Sequence, residues 1–381
     1  MLRRPLTRDR RQLMQFAPSS AYLYSAAFTT PGLYTPPAWF SFACASSGRT
    51  AIITPSSMIR SIAANQAVCN IYGLQHEPQA TNYCCYSENF DPGAGGWANA
   101  GGCTINSYAI TDPCGNATGL DLTSTNQYYY MGGFAQVTTV ATASVFMSAA
   151  ASPNNGGYSL CYNTVAIIAS YNENPITSSW HRTAAFFSGT SGPVNYLCLG
   201  DLRVVANPSR GLYSFPQVEL LPWASSYIPT PSSPTPTTRA ATIVQTTGNV
   251  TANWKAAYAF RAGAASTAAT SPAAIFADAS NGNTIGFDAA GNNRKFLVSC
   301  GGVVTGANAN TWTAGDKVEL RASISGTALT LKLYINGTLT NTETLTMPVG
   351  WSAGHALCFG SIASGANQPP QLAALGIGVT P

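Results

Sequence analysis

Val318-Glu-Leu-Arg-Ala-Ser-Ile324 is the stretch that decides the fold class of this chain. Its apolar residues alternate with polar ones, as do those of Leu329-Thr-Leu-Lys-Leu-Tyr-Ile335, and a period of two is typical of a strand with one buried face. The pair Asn336-Gly337 follows, which is the strongest short signal for a hairpin turn, and it leads into Thr338-Leu-Thr340. These residues therefore predict an antiparallel sheet.

Strand-like runs recur along the preceding part of the chain, divided by turns rich in Gly, Pro, Asn and Asp. Their spacing of roughly 8–15 residues, with no helical period between them, is the pattern of a β-sandwich or jelly roll. We predict strands at residues 127–130, 140–147, 158–162, 164–168, 183–187, 194–199 and 211–220. The chain is thus predicted to be all-β.

The stretch Trp223-Ala-Ser-Ser-Tyr-Ile-Pro-Thr230 ends the last of these strands and opens a proline-rich segment. Its prolines can neither continue a sheet nor start a helix, so they predict a stiff, extended connector: Pro229, Pro231, Pro234 and Pro236. Because 381 residues exceed one ordinary core, we predict two tandem antiparallel β-sandwich (jelly-roll) domains after an irregular N-terminal segment. The predicted divisions are an attachment segment at 1–45, a jelly roll at 46–228, a linker at 229–242 and a second sandwich at 243–381.

Charge is scarce and unevenly placed. Charged residues make up 8% of the chain and hydrophobic residues 45%, which excludes a charge-rich disordered protein. The first eleven residues carry five arginines against Asp9, namely Arg3, Arg4, Arg8, Arg10 and Arg11, whereas the remaining 13 basic and 13 acidic side chains cancel. The arm is predicted either to bind a partner or to be a frayed terminus. The neutral body argues against nucleic-acid binding elsewhere.

The ten cysteines do not form a metal-binding pattern. No pair of C-x-x-C motifs occurs, so zinc is not predicted, and small buried thiols are the favoured interpretation for most of them. Cys103 and Cys114 bracket a loop that contains Pro113 and Gly115. These two residues are therefore the best candidates for a disulfide.

No motif of a catalytic site occurs in the sequence. Glycoside hydrolysis needs two carboxylates about 5–10 Å apart, and the nearest pair, Asp316 and Glu319, would lie on opposite faces of an extended strand. There is no G-x-S-x-G elbow and no H-E-x-x-H motif. We predict no enzyme activity, no cofactor and no metal. No apolar run reaches the ~18–20 residues of a membrane span, so no membrane partner is predicted.

The aromatic residues suggest carbohydrate binding. Sandwich proteins bind sugars with aromatic ring faces and with amide or carboxylate side chains in loops. The candidates near loops or strand ends are Trp97, Tyr129, Tyr171, Asn172, Asn174, Trp312 and Trp351. In the triplet at residues 128–130, alternation places Tyr129 on the face opposite its two neighbours, so at least one ring is predicted to point outward. For each ring, core packing is the favoured interpretation and sugar contact the other.

Two groups of residues carry a resemblance to a known family. The first is Gln217-x-Glu219, Ser225-Ser-Tyr-Ile-Pro-Thr230 and Thr238-Arg-Ala-Ala241. The second comprises Gly73-Leu74, Glu77-Pro-Gln-Ala-Thr-Asn82, Tyr86-Ser-Glu-Asn-Phe90 and Trp97, and Trp180-His-Arg182 adds a strand opening. Residues 72–241 thereby resemble a sandwich module of bacteriophage tail-fibre, spike and other virion-surface proteins.

The C-terminal part carries a second resemblance. Gly315-Asp-Lys-Val-Glu-Leu320, Leu333-Tyr-Ile-Asn-Gly337 and Ala356-Leu-Cys-Phe-Gly-Ser361 are similar to motifs of laminin-G-like and concanavalin-A-like lectin domains. Together the two resemblances imply a virion protein, a tail fibre or spike, that binds host cell-surface carbohydrate, forms a homo-oligomer, most often a trimer, and contacts other virion proteins. The alternatives are a structural or decoration protein of the phage head or tail without a ligand, and a secreted depolymerase or adhesin.

Overall fold

A computed structural model of the chain consists of antiparallel sheets. The part that it describes contains no α-helix, only a short 3-10 helix at Pro92–Ala94, and none of its helices is long and apolar enough to cross a membrane. The all-β prediction is therefore confirmed. The structure describes residues 24–27, 32–36, 38, 40–45, 49–54, 57–70, 73–75, 79–94, 96–137, 141–150, 152–162, 166–187, 194–221, 224–231, 233–240, 243–262, 266, 274–278, 283–288, 294–313, 315–359 and 371–379.

The strands are numbered in chain order. Those up to residue 124 are β1 (Tyr24–Ala27), β2 (Gly32–Tyr34), β3 (Phe40–Ala43), β4 (Arg49–Thr54), β5 (Ser57–Ile62), β6 (Ala67–Asn70), β7 (Gly73–Gln75), β8 (Ala80–Asn82), β9 (Trp97–Asn99), β10 (Cys103–Thr111) and β11 (Ala117–Ser124). Those up to residue 239 are β12 (Tyr129–Val137), β13 (Ala141–Ala149), β14 (Gly156–Tyr162), β15 (Ala166–Glu173), β16 (His181–Phe187), β17 (Val194–Leu199), β18 (Ser209–Glu219) and β19 (Thr237–Arg239). The rest are β20 (Ile243–Val250), β21 (Trp254–Arg261), β22 (Ala274–Asp278), β23 (Thr284–Phe287), β24 (Phe296–Ser299), β25 (Val303–Thr305), β26 (Lys317–Ser325), β27 (Ala328–Ile335), β28 (Thr338–Thr346), β29 (His355–Phe359) and β30 (Gln371–Val379).

The chain folds as two compact units, each built from more than one stretch of sequence. The C-terminal unit comprises Met1–Ala45, Asn65–Pro78 and Ala241–Pro381, and the central unit comprises Ser46–Ala64 and Gln79–Ala240. This division differs from the sequential one predicted above, because strands from the first 75 residues pair with strands near the end of the chain.

The central unit contains two five-stranded antiparallel sheets. Their strand orders are β10-β11-β18-β13-β16 and β15-β14-β17-β12-β9, and two small pairs, β19-β8 and β4-β5, accompany them. The facing sides supply one apolar core, in which Tyr129, Tyr158 and Tyr213 are fully buried. The side of β15-β14-β17-β12-β9 that faces away from this core is called its outer face below.

The C-terminal unit contains two larger sheets. One has the order β2-β6-β7-β30-β21-β26-β27-β28, with β1 also paired to β30, and the other has the order β25-β24-β23-β22-β29-β20-β3. The predicted hairpin is confirmed, since β26, β27 and β28 are consecutive neighbours and Asn336 and Gly337 have φ values of 51° and 85°. Its alternating leucines are buried as expected.

The predicted attachment segment at 1–45 contributes strands to the C-terminal unit. β3 pairs with β20, with Phe42 opposite Val244, and β2 pairs with β6. Phe42 and Cys44 are buried in the same core as Trp254. The described part of this stretch is thus bound within its own chain rather than irregular. The five arginines of the arm lie outside the described residues.

The proline-rich segment is packed against the central unit rather than extended as a free connector. Gln217 accepts the amide of Ile228 at 2.6 Å, and Glu219 accepts the amide of Ser225 at 2.9 Å. Arg182 donates from Nη1 to the carbonyl of Ser225 at 2.5 Å. Tyr227 of the segment also packs with Phe146 of β13 and Phe215 of β18. The segment therefore covers both strands, in line with the burial of nearly every residue of β13.

The same segment is also bonded to the beginning of the unit. Thr230 donates its hydroxyl to the carbonyl of Cys84 at 2.6 Å, and its Oγ1 lies 2.7 Å from the hydroxyl oxygen of Ser87. Asn82 donates to the carbonyl of Ile228 at 2.8 Å, and β19 pairs with β8. Several of the residues that carry the resemblance, among them Asn82, Gln217, Glu219 and Thr230, thus join a buried hydrogen-bond network that ties the segment to the fold.

Candidate functional site

Four of the predicted sugar-stacking rings are core residues. Trp97 and Tyr129 stack on each other inside the central unit, with ring centroids 5.5 Å apart and an interplanar angle of 8°. Trp312 and Trp351 lie in the core of the C-terminal unit. All four are at most 4% exposed, so none presents a ring face to solvent. The choice of these residues as sugar contacts is wrong, and their core packing is the reason.

The predicted group at the end of β15 is nearer the surface. Tyr171 is partly buried, stacks on Tyr158 at 5.8 Å and donates its hydroxyl to Glu173 at 3.3 Å; burial raises its pKa. Asn172 and Asn174 are exposed, and Asn172 donates to the carbonyl of Val204 at 2.8 Å. The three residues lie close together, but the only ring among them is already covered on one side.

The predicted disulfide is absent. All ten cysteines are free thiols, including Cys103 and Cys114. Cys103 lies at the start of β10, where its Sγ is 3.2 Å from the Ser124 hydroxyl. Cys114 lies in a turn that the Asp112 carboxylate organises by accepting the Cys114 and Asn116 amides. The nine-residue strand β10 runs from Cys103 toward Cys114, and its extended backbone holds the two cysteines too far apart for a disulfide.

A row of tyrosines on the outer face of β15-β14-β17-β12-β9 is the best candidate site. Tyr128 and Tyr130 have ring centroids 6.0 Å apart, and Tyr130 and Tyr196 have centroids 5.7 Å apart, both pairs edge to face. The guanidinium of Arg203 lies over the Tyr128 ring, 4.4 Å from its centroid. Tyr130 and Tyr196 are partly exposed. These four residues are called the tyrosine face.

A glycine makes room for the end of this row. Gly132 lies opposite Tyr196 on the neighbouring strand, and a Cβ added there would lie 2.1 Å from Cε1 of the Tyr196 ring. The ring therefore rests directly on the backbone of β12, which only a residue without a side chain permits. This support fixes one side of the ring against the sheet.

Buried polar groups lie beneath the tyrosine face. Asp201, fully buried, accepts from Nε and Nη2 of Arg203 at 2.8 and 2.7 Å and also from the Ser159 hydroxyl. The thiols of Cys161 and Cys198 are 3.7 Å apart. Their hydrogen bond lowers the pKa of Cys161, whereas burial raises the pKa of Cys198. The bidentate pair with Asp201 fixes the position of Arg203 over Tyr128.

Sequence reasoning found the alternation but selected the inward residue. Tyr129 points to the core, and Tyr128 and Tyr130 point outward. Tyr196 was missed, although a signal exists: in Val194-Asn-Tyr-Leu-Cys-Leu199, alternation opposes Tyr196 to the apolar Leu197 and Leu199. The register that brings Tyr196 against Gly132 is long-range and has no local signal.

Comparisons with known proteins add little to this geometry. No protein-family model and no curated protein matches the sequence. Among solved structures, the N-terminal CBM22-1-CBM22-2 tandem domain of Xyn10C from Paenibacillus barcinonensis, a pair of carbohydrate-binding modules, is similar at 11% identity. The match covers 74% of this chain and 92% of that chain, with a TM-score of 0.24. A TM-score of this size carries no inference about the ligand of this chain.

Proposed function

We propose that the protein binds carbohydrate through the tyrosine face of its central unit. The observation that carries the proposal is the row of Tyr130 and Tyr196 rings on one sheet face, with Tyr196 supported from below by Gly132. A sugar presents an apolar ring face and a polar rim. Partly exposed tyrosines offer the matching apolar surface together with hydroxyl groups.

A glycan array probed with the full-length chain tests this function. Bound glycans are then measured by calorimetry with Tyr196→Ala, which we expect to weaken binding by about tenfold or more because the stacking surface is lost. The matched control is Phe186→Ala, since Phe186 is 51% exposed on the other sheet of the same unit. Binding that survives Tyr196→Ala, or that Phe186→Ala weakens equally, contradicts the assignment.

The second part of the proposal concerns where the protein acts. The resemblance of residues 72–241 to phage virion-surface modules supports a place on a virion, as a tail fibre or spike that adsorbs to host glycans. One shallow sugar site binds weakly, and several linked copies raise avidity without a new contact, which supports a homo-oligomer such as a trimer. Mass spectrometry of purified particles tests the placement, and absence of the chain from them contradicts it.

A structural particle protein without a ligand is the second candidate. Its support is that the residues carrying the resemblance, among them Gln217, Glu219 and Thr230, are buried in a network that stabilises the fold. The resemblance therefore bears on the architecture of the module rather than on a sugar. Presence in particles together with a negative glycan array favours this candidate.

A further inference from the structure

A cluster of soft and hard ligand atoms lies on the central unit beneath the tyrosine face. Cys161 belongs to β14, Cys198 belongs to the neighbouring β17, and Asp201 lies two residues after the end of β17. Their sulfur and carboxylate oxygen atoms all lie within 4.8 Å of one another, and all three residues are buried. We infer that Cys161, Cys198 and Asp201 form a binding site for a thiophilic divalent cation of the zinc class.

The distance between the two thiols fits such an ion. A zinc ion binds thiolates at about 2.3 Å in tetrahedral geometry, which places two sulfurs roughly 3.8 Å apart. The Sγ atoms of Cys161 and Cys198 are 3.7 Å apart. Two sulfurs and one carboxylate are a donor set that selects zinc over magnesium or calcium, and a water completes the four ligands.

The positive charge of Arg203 lies against the atoms that would bind the cation. Its Nη2 contacts two of the three ligands, Cys161 Sγ at 3.2 Å and Asp201 Oδ2 at 2.7 Å. A metal that binds Oδ2 displaces Nη2 from it and leaves Oδ1, which accepts the backbone amide of Arg203 at 3.0 Å. The side chain of Arg203 is 30% exposed, so it can move toward solvent and open a path to the buried atoms.

Charge balance supports the same occupant. Two thiolates and one carboxylate carry three negative charges, and burying them without cations is costly. A divalent ion cancels two of these charges and leaves only one. The two thiol protons leave to solvent as the metal binds. The inference does not depend on carbohydrate binding.

Cobalt titration of the reduced full-length protein tests the site. Co²⁺ bound by thiolates gives a charge-transfer absorption band, and we expect the band to saturate at one equivalent and to disappear when Zn²⁺ is added. Cys161→Ser and Cys198→Ser are expected to abolish the band. The matched control is Cys103→Ser, a partly buried thiol of the same unit, which leaves it unchanged. Circular dichroism establishes that each variant is folded.

A further variant keeps the test decisive if the cysteine variants do not fold. Arg203→Gln removes the group that competes for Asp201 and Cys161, so we expect Co²⁺ affinity to rise by about tenfold, as loss of one charged hydrogen bond allows. Absence of a thiolate band in the wild-type protein overturns the inference. So do a band that persists in folded Cys161→Ser and Cys198→Ser, weaker binding by Arg203→Gln, and a Cys161–Cys198 disulfide in the isolated protein.

Discussion

Glu219 holds the segment at Ser225–Thr230 in its place over β13 and β18 of the central unit. It is fully buried and accepts both the amide and the hydroxyl of Ser225. Glu219→Ala leaves the Ser225 amide without its acceptor in a buried place, and we expect a loss of about 2 kcal/mol in the free energy of unfolding. Urea unfolding followed by circular dichroism measures it. Glu219→Gln keeps one acceptor oxygen and is the matched control, and an equal loss in both variants contradicts the role of the hydrogen bonds.

The same carboxyl predicts a pH dependence. Burial raises the pKa of Glu219 above its ordinary value, against the opposing effect of Arg182. A raised pKa in the folded state means that the contribution of Glu219 is fully present below the ordinary pKa of about 4.3 and is lost as pH rises through the folded pKa. The free energy of unfolding of Glu219→Gln, relative to wild type, is therefore expected to increase from pH 4 upward and then level off. A difference that does not vary with pH would contradict the shift.

Gly132 offers a test of the tyrosine face that leaves every tyrosine in place. A Cβ at this position would overlap the Tyr196 ring, whose side chain can rotate away, so Gly132→Ala is expected to fold. Sugar binding should nevertheless weaken to about the level of Tyr196→Ala, as calorimetry would show. Gly248→Ala is the control, because a Cβ there meets nothing within 4 Å. Unchanged sugar binding by a folded Gly132→Ala variant would contradict the stacking role of Tyr196.

At the scale of elements, the central unit extends through Thr230 and β19, because both are bonded to its first strands and turns. A fragment of residues 46–228 stops at the predicted boundary and lacks the Thr230 bonds and the β19–β8 pairing. A fragment of residues 46–240 keeps both, and we expect it to be more stable by at least about 3 kcal/mol, the sum of several hydrogen bonds. Chemical denaturation of the two fragments measures the difference. A fragment of residues 46–236 separates the contribution of Thr230 from that of β19, and equal stability of all three contradicts the assignment.

The elements also show what the sequence could predict. The hairpin of β27 and β28 was predictable because alternation and an Asn-Gly turn act within about 20 residues. The prolines after Tyr227 predict only that the regular strand ends. Predicting that Ser225–Thr230 packs over the sheet would also require knowing that Gln217 and Glu219 point away from the core and toward this segment. The tyrosine face lay within reach of alternation, but Tyr128 and Tyr130 could be distinguished from Tyr129 only by knowing which side faces the core.

At the scale of the whole molecule, local sequence patterns do not predict how the chain divides into units, because the C-terminal unit is discontinuous in sequence. β3 lies about 200 residues from its partner β20, and no turn or spacing signal connects them. The sequence of residues 1–45, which sustains no period, therefore predicts only an irregular attachment segment. Phe40-Ser-Phe-Ala43 does alternate, but four residues are too few to distinguish an edge strand from a loop.

This discontinuity makes the N-terminal stretch a stability element of the C-terminal unit. Deleting residues 1–45 removes β1, β2 and β3, exposes the edge of β20 and takes Phe42 and Cys44 from the core. Loss of a buried phenylalanine alone costs about 3–5 kcal/mol, so we expect the deletion to destabilise this unit by at least that much. Deleting residues 1–23 keeps every one of these strands and is the matched control. Calorimetric melting of both deletions compares them, and a deletion of 1–45 that melts like the full chain would mean that the paired strands contribute nothing to stability.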